Sequence, residues 1–318
     1  MLDFRLLTAS LCVAGASATA EVALPPFYAQ IVTMTPQGQL GEVLAKEAVA
    51  TSIPGAEAWR IAYVSSDMNE AKTISTGLVI APTGAPPAEG RPIVAWAHGT
   101  TGTAQNCGPS QVFDPAQDLN EYNLIGGTSW TDFGIAAASD FIKEGYVVVA
   151  TDYQGLGGGG VHQYAVAATQ ARDIINSARA VGSMGLSGAG KQAIAYGWSQ
   201  GGGATLSAAS LPTYIASTGT AFDGLDFVGF VALAPQEVEV LFPPGATDPA
   251  AADKAILGMN QTFGENIFNF THYIMAMWAT AAANPDLKLN DNLTDDAVTE
   301  IDAELNNKSN HPAADTYS

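Results

Sequence analysis

A serine lies in a pattern that is typical of nucleophilic catalysis. Residues 197–201 read Gly-Trp-Ser-Gln-Gly, after an apolar run at 193–196 that predicts a strand and before a predicted helix. A serine on so sharp a strand-to-helix turn has a strained backbone, and its neighbours two residues away on either side must be small. Gly197 and Gly201 meet that need. We therefore predict that Ser199 is the nucleophile of an acyl-transfer reaction, with an ordinary Gly/Ser turn as the alternative.

An earlier loop could stabilise the negative charge that such a reaction develops. Residues 98–102 read His-Gly-Thr-Thr-Gly and directly follow the apolar run 93–97. An oxyanion hole is built from backbone N–H groups, usually that of the residue after the nucleophile and one from an earlier strand-end loop. We expect Gln200 to supply the first donor and Thr100 the second. His98 precedes the serine in the chain and is interpreted as a residue that braces this loop, not as the general base.

A glycine-rich segment offers a competing interpretation. Residues 155–160 satisfy G-x-G-x-x-G after the apolar run 146–151 and before a predicted helix, as in dinucleotide-binding proteins. That fingerprint also needs an acidic residue at the end of the next strand to bind the ribose, and the next predicted strand ends in Gly197-Trp198-Ser199 instead. We therefore interpret the segment as a flexible glycine loop over a pocket and expect no cofactor.

Three separated motifs together resemble the secretory lipases, a family of α/β-hydrolases. They are VAWAHGTTG at 94–102, GYVVVATDYQGLG at 145–157 with His-Gln-Tyr at 162–164, and WSQGG at 198–202. The resemblance covers residues 92–235 and implies a serine carboxylic-ester hydrolase with a helical cap inserted after the sixth strand. It also implies that Ser199 is the nucleophile, and that Asp152 and Tyr153 line the site from a strand end without belonging to the catalytic triad. Trp198 stands where the family usually has histidine.

The elements that must position these residues alternate in type along the chain. Short β-type runs occur at residues 59–64, 76–80, 93–97, 146–151, 193–198 and 227–233, with predicted helices at 164–181 and 200–211. This alternation predicts an α/β fold with a mostly parallel sheet flanked by helices. Residues 250–283 are predicted to be largely helical, and Phe263, Ile267, Phe270, Ile274 and Met277 share one face. We expect a core at 21–235 and a helical cap with a polar tail at 236–318.

The N-terminus has the pattern of a secretory signal. Residues 1–20 contain Arg5, an apolar run at 6–13 and small residues at the end, which predicts cleavage after Ala20 and an extracellular or periplasmic protein. Cleavage would leave Cys107 as the single cysteine, because Cys12 lies within the signal. In the family that the chain resembles, such a cysteine can pair with one in the cap or beyond.

The triad acid and base have no strong candidates. In the α/β-hydrolase fold both follow the serine, at the ends of later strands, and here only one predicted strand, at 227–233, follows it. His272 is interpreted as a packing or cap-surface residue, and His311 as a weak candidate in a loop-like tail. Loop and helix-start positions account for the acids Asp286, Asp291, Asp295 and Asp296. We therefore expect that the sequence stops inside the cap and that these 318 residues have little or no turnover.

The net charge and the residue pattern limit the classes of partner and ligand that the chain could bind. The formal net charge of −19 disfavours nucleic acid and anionic lipid surfaces. Histidine spacing such as H-x-x-x-H is absent from the sequence, so no metal is expected. The apolar run at 273–283 is too short for a transmembrane helix. The expected substrate is a small-molecule or lipid ester, and two alternatives stay open: a serine peptidase of the same fold, and a non-catalytic or truncated relative that binds acyl ligands.

Overall fold

A mixed seven-stranded sheet forms the centre of the molecule. The computed structural model describes residues 23–119, 134–236, 248–264, 267–291 and 293–308. The strands, in chain order, are β1 Val43–Val49, β2 Ala56–Ser66, β3 Lys72–Pro82, β4 Arg91–Ala97, β5 Val147–Gln154, β6 Ala189–Trp198 and β7 Asp226–Leu233. Their spatial order is β1-β2-β3-β5-β4-β6-β7. Strands β5, β4, β6 and β7 are mutually parallel, and β1 to β3 continue the sheet in antiparallel fashion.

Helices cover both faces of this sheet. They are α1 Pro26–Ile31, α2 Ala138–Lys143, α3 Ala167–Ser183, α4 Gln200–Ala209, α5 Pro212–Ile215, α6 Pro249–Gly264, α7 Ile267–Ala283 and α8 Asp295–Asn307. Ile174 and Ile175 of α3 and Ala204 of α4 belong to one buried cluster, while Ala138 and Ile142 of α2 belong to a second. Because the central strands are buried on both faces, they read as continuous apolar runs. The predicted mostly parallel sheet flanked by helices is confirmed.

The sequence pattern did not predict the first strand, β1, so each predicted strand has a number one higher in the structure. Strand β1 contains Lys46, Glu47 and Ala48, all exposed, because it lies at the edge of the sheet and pairs with β2 alone. Such charged edge strands lack the apolar pattern of central ones. The helical segment predicted after the sixth strand therefore follows the seventh, β7.

Helices α7 and α8 pack on the carboxyl edge of the sheet. Their buried side chains, among them Ile274, Trp278 and Leu305, cluster around the fully buried Tyr164 of the core. The Thr103 hydroxyl donates to Leu305 O at 2.7 Å. Within the described ranges, every helix is too short or too polar to cross a bilayer. The signal predicted at 1–20 and His311 lie outside the described residues.

Candidate active site

The predicted nucleophile and oxyanion loop meet where two neighbouring parallel strands end. In the pairing of β4 with β6, Ala97 lies opposite Gly197, so residues 98–102 and 198–200 leave the sheet side by side. Strand β5 lies on the other side of β4, so successive connections run in opposite directions from this point. Ligands of open α/β sheets bind at such a switch point, outside the carboxyl ends of the strands.

Ser199 has a strained backbone that its surroundings hold in place. Its φ is 54° and its ψ is −116°, a combination that side-chain-bearing residues rarely adopt. The Ser199 N–H donates to Leu233 O at 3.0 Å, and Ser199 O accepts from Gln236 N at 2.8 Å and Gly203 N at 3.1 Å. These bonds fix both sides of the turn to the end of β7 and the start of α4. Strain that the structure maintains in this way is characteristic of functional sites.

The glycines around Ser199 permit close approach of backbone to backbone. A Cβ atom placed on Gly201 would lie 1.9 Å from Ala97 O, and one on Gly197 would lie 2.3 Å from Gly201 O. Gly203 has a similar relation to Gln236 O, at 2.3 Å. The first turn of α4 therefore sits directly against the ends of β4 and β7, which accounts for three successive glycines after Gln200.

The two predicted oxyanion donors have free amides among the described residues. The N–H groups of Thr100 and Gln200 donate to no other described group. Gln200 is the first residue of α4, where backbone N–H groups have no acceptor within the helix. Thr100 lies in the loop that Gly201 contacts through Ala97 and His98. Both amides thus belong to segments that meet at the elbow of Ser199.

Within the described residues the hydroxyl of the half-buried Ser199 makes no hydrogen bond, to an imidazole or to any other group. His98 is buried, with Nδ1 2.6 Å from Gly99 O and Nε2 3.3 Å from Asp152 O, a geometry that agrees with a bracing role. His272, on α7, contacts the ring of Tyr164 edge-on at 6.2 Å between centroids. Burial lowers the pKa of His98 to about 4.

Asp291 ends a short 3-10 helix, and Asp295 and Asp296 lie in the first turn of α8.

Asp152 is a buried carboxylate at the end of β5. It accepts from Ser110 N at 2.9 Å, from the Ser110 hydroxyl and from Thr76 Oγ1 at 2.7 Å. Burial raises the pKa of Asp152 to about 6, against the opposing effect of these hydrogen bonds. Together with His98, Trp96 and Ser110 it lines a small cavity on one side of the sheet. Its carboxylate therefore belongs to a structural network, and its exclusion from the triad stays a prediction.

Two residues that were noted only as part of a motif, His162 and Tyr164, contact the predicted donors. Tyr164 Oη is 3.1 Å from Thr100 Oγ1, and His162 Nε2 is 3.1 Å from Gln200 Nε2. Gln236, which follows β7, donates from Nε2 to Tyr164 Oη at 2.5 Å. Sequence reasoning missed these contacts because each joins residues that are 38 to 72 positions apart along the chain and that only the fold brings together.

The glycine loop at 155–160, which the sequence suggested to be a flexible loop over a pocket, is held by hydrogen bonds and close packing in this structure. The amides of Gly157 and Gly159 donate to Gln105 Oε1 at 3.1 and 3.0 Å, so a side chain of the chain itself takes the donors that a phosphate would need. A Cβ on Gly158 would lie 2.0 Å from Ile74 O. The loop therefore closes against β3 and does not open toward a dinucleotide.

Cys107 and the other potential metal ligands form no site in the described parts of the chain. The Cys107 thiol is free and buried, and burial raises its pKa to about 12. No group of three His, Cys, Asp or Glu side chains lies close enough to bind a metal ion among those residues.

Comparison with known proteins supports the resemblance drawn from the motifs. The secretory lipase family matches residues 123–233, a range that includes β5, β6, Ser199 and β7. The comparison with curated protein sequences gives no match. The resemblance to the secretory lipases is therefore confirmed by the family comparison.

Solved structures confirm the α/β-hydrolase fold. The chain is similar to Candida antarctica lipase A in its closed state, with 17% identity and a TM-score of 0.57, over 87% of this chain and 57% of that one. It is also similar to the rice cell wall degrading esterase LipA from Xanthomonas oryzae, with 15% identity and a TM-score of 0.59, over 87% of this chain and 70% of that one. The chain spans less than two thirds of the length of lipase A.

Proposed function

We propose, from the match to the secretory lipases, that this chain is an exported serine carboxylic-ester hydrolase of the lipase or esterase type. The observation that carries the proposal is the strained turn at Ser199, held by β7 and α4 at the carboxyl ends of β4 and β6. A backbone conformation of this kind presents a serine hydroxyl at the top of the sheet, and it is the hallmark of the nucleophile elbow. The proposal includes a signal at 1–20, a core at 21–235 and a cap at 236–318.

The proposed reaction proceeds through an acyl-enzyme. Ser199 Oγ attacks the ester carbonyl, and the N–H groups of Gln200 and Thr100 stabilise the oxyanion of the tetrahedral intermediate. The Ser199 proton passes through a general base to the alcohol, which leaves as the carbonyl re-forms; water then releases the acid and returns a proton to Ser199 Oγ. We do not assign the base that accepts the Ser199 proton to His98 or His162, because the nitrogens of both are engaged with other groups.

A second candidate is an acyl-binding protein without turnover. It is favoured by the lack of any imidazole on Ser199 Oγ among the described residues. Such a chain would bind an ester at the same strand ends but would leave the hydroxyl inactive. A peptidase that uses the same elbow would share the activated serine and would differ in its leaving group.

A serine-directed fluorophosphonate distinguishes these candidates. We expect the wild-type chain to be labelled, Ser199→Ala to lose labelling, and the exposed Ser210→Ala to be labelled like the wild type, since only an activated serine attacks phosphorus at a useful rate. Hydrolysis of a p-nitrophenyl ester compared with a peptide anilide then separates esterase from peptidase, and we expect it to be slow because no base is assigned. Equal labelling of the wild type and Ser199→Ala would contradict the proposal.

A further inference from the structure

One short segment contacts both residues whose amides form the proposed oxyanion hole. Tyr164 is bonded to Thr100, and His162, two residues earlier, is bonded to Gln200. We infer that His162 and Tyr164 are positioning residues that set the distance and direction of the two oxyanion donors. This inference rests on the proposed ester-hydrolase function and assigns two residues beyond the nucleophile and its donors.

Tyr164 links the loop of Thr100 to the turn of Ser199. Its hydroxyl accepts from Gln236 Nε2, so its own proton is available to Thr100 Oγ1 at 3.1 Å. Burial raises the pKa of Tyr164 to about 12, so the phenol keeps that proton at neutral pH. Gln236 in turn donates its backbone N–H to Ser199 O at 2.8 Å. A chain of three hydrogen bonds therefore runs from Thr100 to the backbone of the nucleophile.

His162 holds the side chain of Gln200. Its Nδ1–H donates to Gln154 O at 2.7 Å, which leaves Nε2 as the acceptor for Gln200 Nε2 at 3.1 Å. Burial lowers the pKa of His162 to about 4, so the ring is neutral and Nε2 carries a lone pair. Gln200 is buried, and its Oε1 has no hydrogen-bond partner among the described residues. The hydrogen bond to His162 therefore orients the side-chain amide of Gln200.

The segment that carries both side chains is itself held in a constrained conformation. A Cβ on Gly155 would lie 2.2 Å from His162 N, so the glycine loop passes directly beneath it. Ala165, next to Tyr164, has a φ of 60°, which a residue with a side chain seldom adopts. Rigid support of this kind is what an oxyanion hole requires, because its donors act without rearranging during the reaction.

The test measures how fast the serine reacts, separately from how well the probe binds. Inactivation of the full chain by a fluorophosphonate gives a maximal rate and a half-saturating concentration. We expect Tyr164→Phe and His162→Gln each to lower the maximal rate by about tenfold to a hundredfold, because misplaced oxyanion donors cost less than missing ones. The half-saturating concentration should stay within about twofold of wild type, because the reversible complex does not use the oxyanion.

Tyr63→Phe is the matched control. Tyr63 is also fully buried, and its hydroxyl bonds to Thr151 Oγ1 at 2.6 Å and to Asp173 O at 3.1 Å, away from Thr100 and Gln200. It should lower thermal stability about as much as Tyr164→Phe and leave the labelling rate unchanged. Equal rates in wild type, Tyr164→Phe and His162→Gln would overturn the inference, as would an equal loss in Tyr63→Phe. A wild type that is not labelled at Ser199 would instead overturn the proposed function and the inference with it.

Discussion

Gly201→Ala is expected to lower the labelling rate of Ser199 by about a hundredfold and to destabilise the fold by about 3 kcal/mol. The added Cβ would lie 1.9 Å from Ala97 O and 2.7 Å from His98 O, which are backbone atoms at the end of β4 and the start of the oxyanion loop. No side-chain rotation can relieve such contacts, so α4 and the end of β4 must separate. Separation moves Ser199 and Gln200 away from Thr100, and a displacement of about 1 Å at such a site costs on the order of a hundredfold in rate.

Urea unfolding and fluorophosphonate labelling measure the two effects of Gly201→Ala. Gly258→Ala in α6 is the matched control, because a Cβ there meets nothing within 4 Å. Alanine is the better helix former by roughly 1 kcal/mol, so this control should be neutral or slightly stabilising. A Gly201→Ala variant with wild-type stability and wild-type labelling would mean that α4 does not rest on the oxyanion loop.

Asp152→Asn is expected to make the fold sensitive to acid. Between pH 7 and pH 4 the variant should lose about 2 kcal/mol more of its free energy of unfolding than the wild type does. The reason is that buried carboxyls and buried histidines change the pH dependence of stability in opposite directions. Burial raises the pKa of Asp152 and of Asp173 to about 6, and it lowers the pKa of His98 and of His162 to about 4.

The sign of each contribution follows from which state binds more protons. A carboxyl whose pKa rises from 3.8 to about 6 on folding binds more protons in the folded state, so Asp152 stabilises the fold as the pH falls through that window. A histidine whose pKa falls from 6.5 to about 4 binds more protons when unfolded, so His98 loses stability over nearly the same window. The two effects offset each other in the wild type, and removing the Asp152 carboxyl leaves two histidines opposed by Asp173 alone.

Urea titrations at pH 4, 5, 6 and 7 measure this difference directly. Comparison across pH removes any constant cost of altering the hydrogen bonds to Ser110 and Thr76. The exposed Asp223 serves as control, since Asp223→Asn removes a carboxylate without a buried network. Parallel pH profiles for the wild type and Asp152→Asn would show that this carboxyl is ionised equally in the folded and unfolded states.

The apolar pattern of the sequence was sufficient to predict the central strands of the sheet, but it did not predict the edge strand β1. Strands β4 and β5 are apolar over most of their length because both of their faces are buried, and that pattern is visible without a structure. Strand β1 carries Lys46 and Glu47 at the edge of the sheet and resembles a loop in composition. Helix α2, with six residues, is too short to show a helical period.

The site could be predicted where a local motif determines its geometry. The turn at Ser199 depends on glycines within four residues, so the motif alone indicated its strained conformation. The links from Tyr164 to Thr100 and from His162 to Gln200 span 64 and 38 residues along the chain, and nothing local encodes them. At the glycine loop the local pattern was present but misleading. The phosphate-binding motif did not indicate that Gln105 Oε1 would accept the hydrogen bonds of the loop's backbone amides.

The site of covalent attachment tests the assignment of the nucleophile most directly. The wild-type chain is treated with a fluorophosphonate while folded and again after unfolding in urea, and the adduct is located by peptide mass spectrometry. We predict a single adduct on Ser199 in the folded chain and none above background in the unfolded chain, because reactivity comes from the turn and its two amides. An adduct spread over several serines, or one formed equally in urea, would contradict the account.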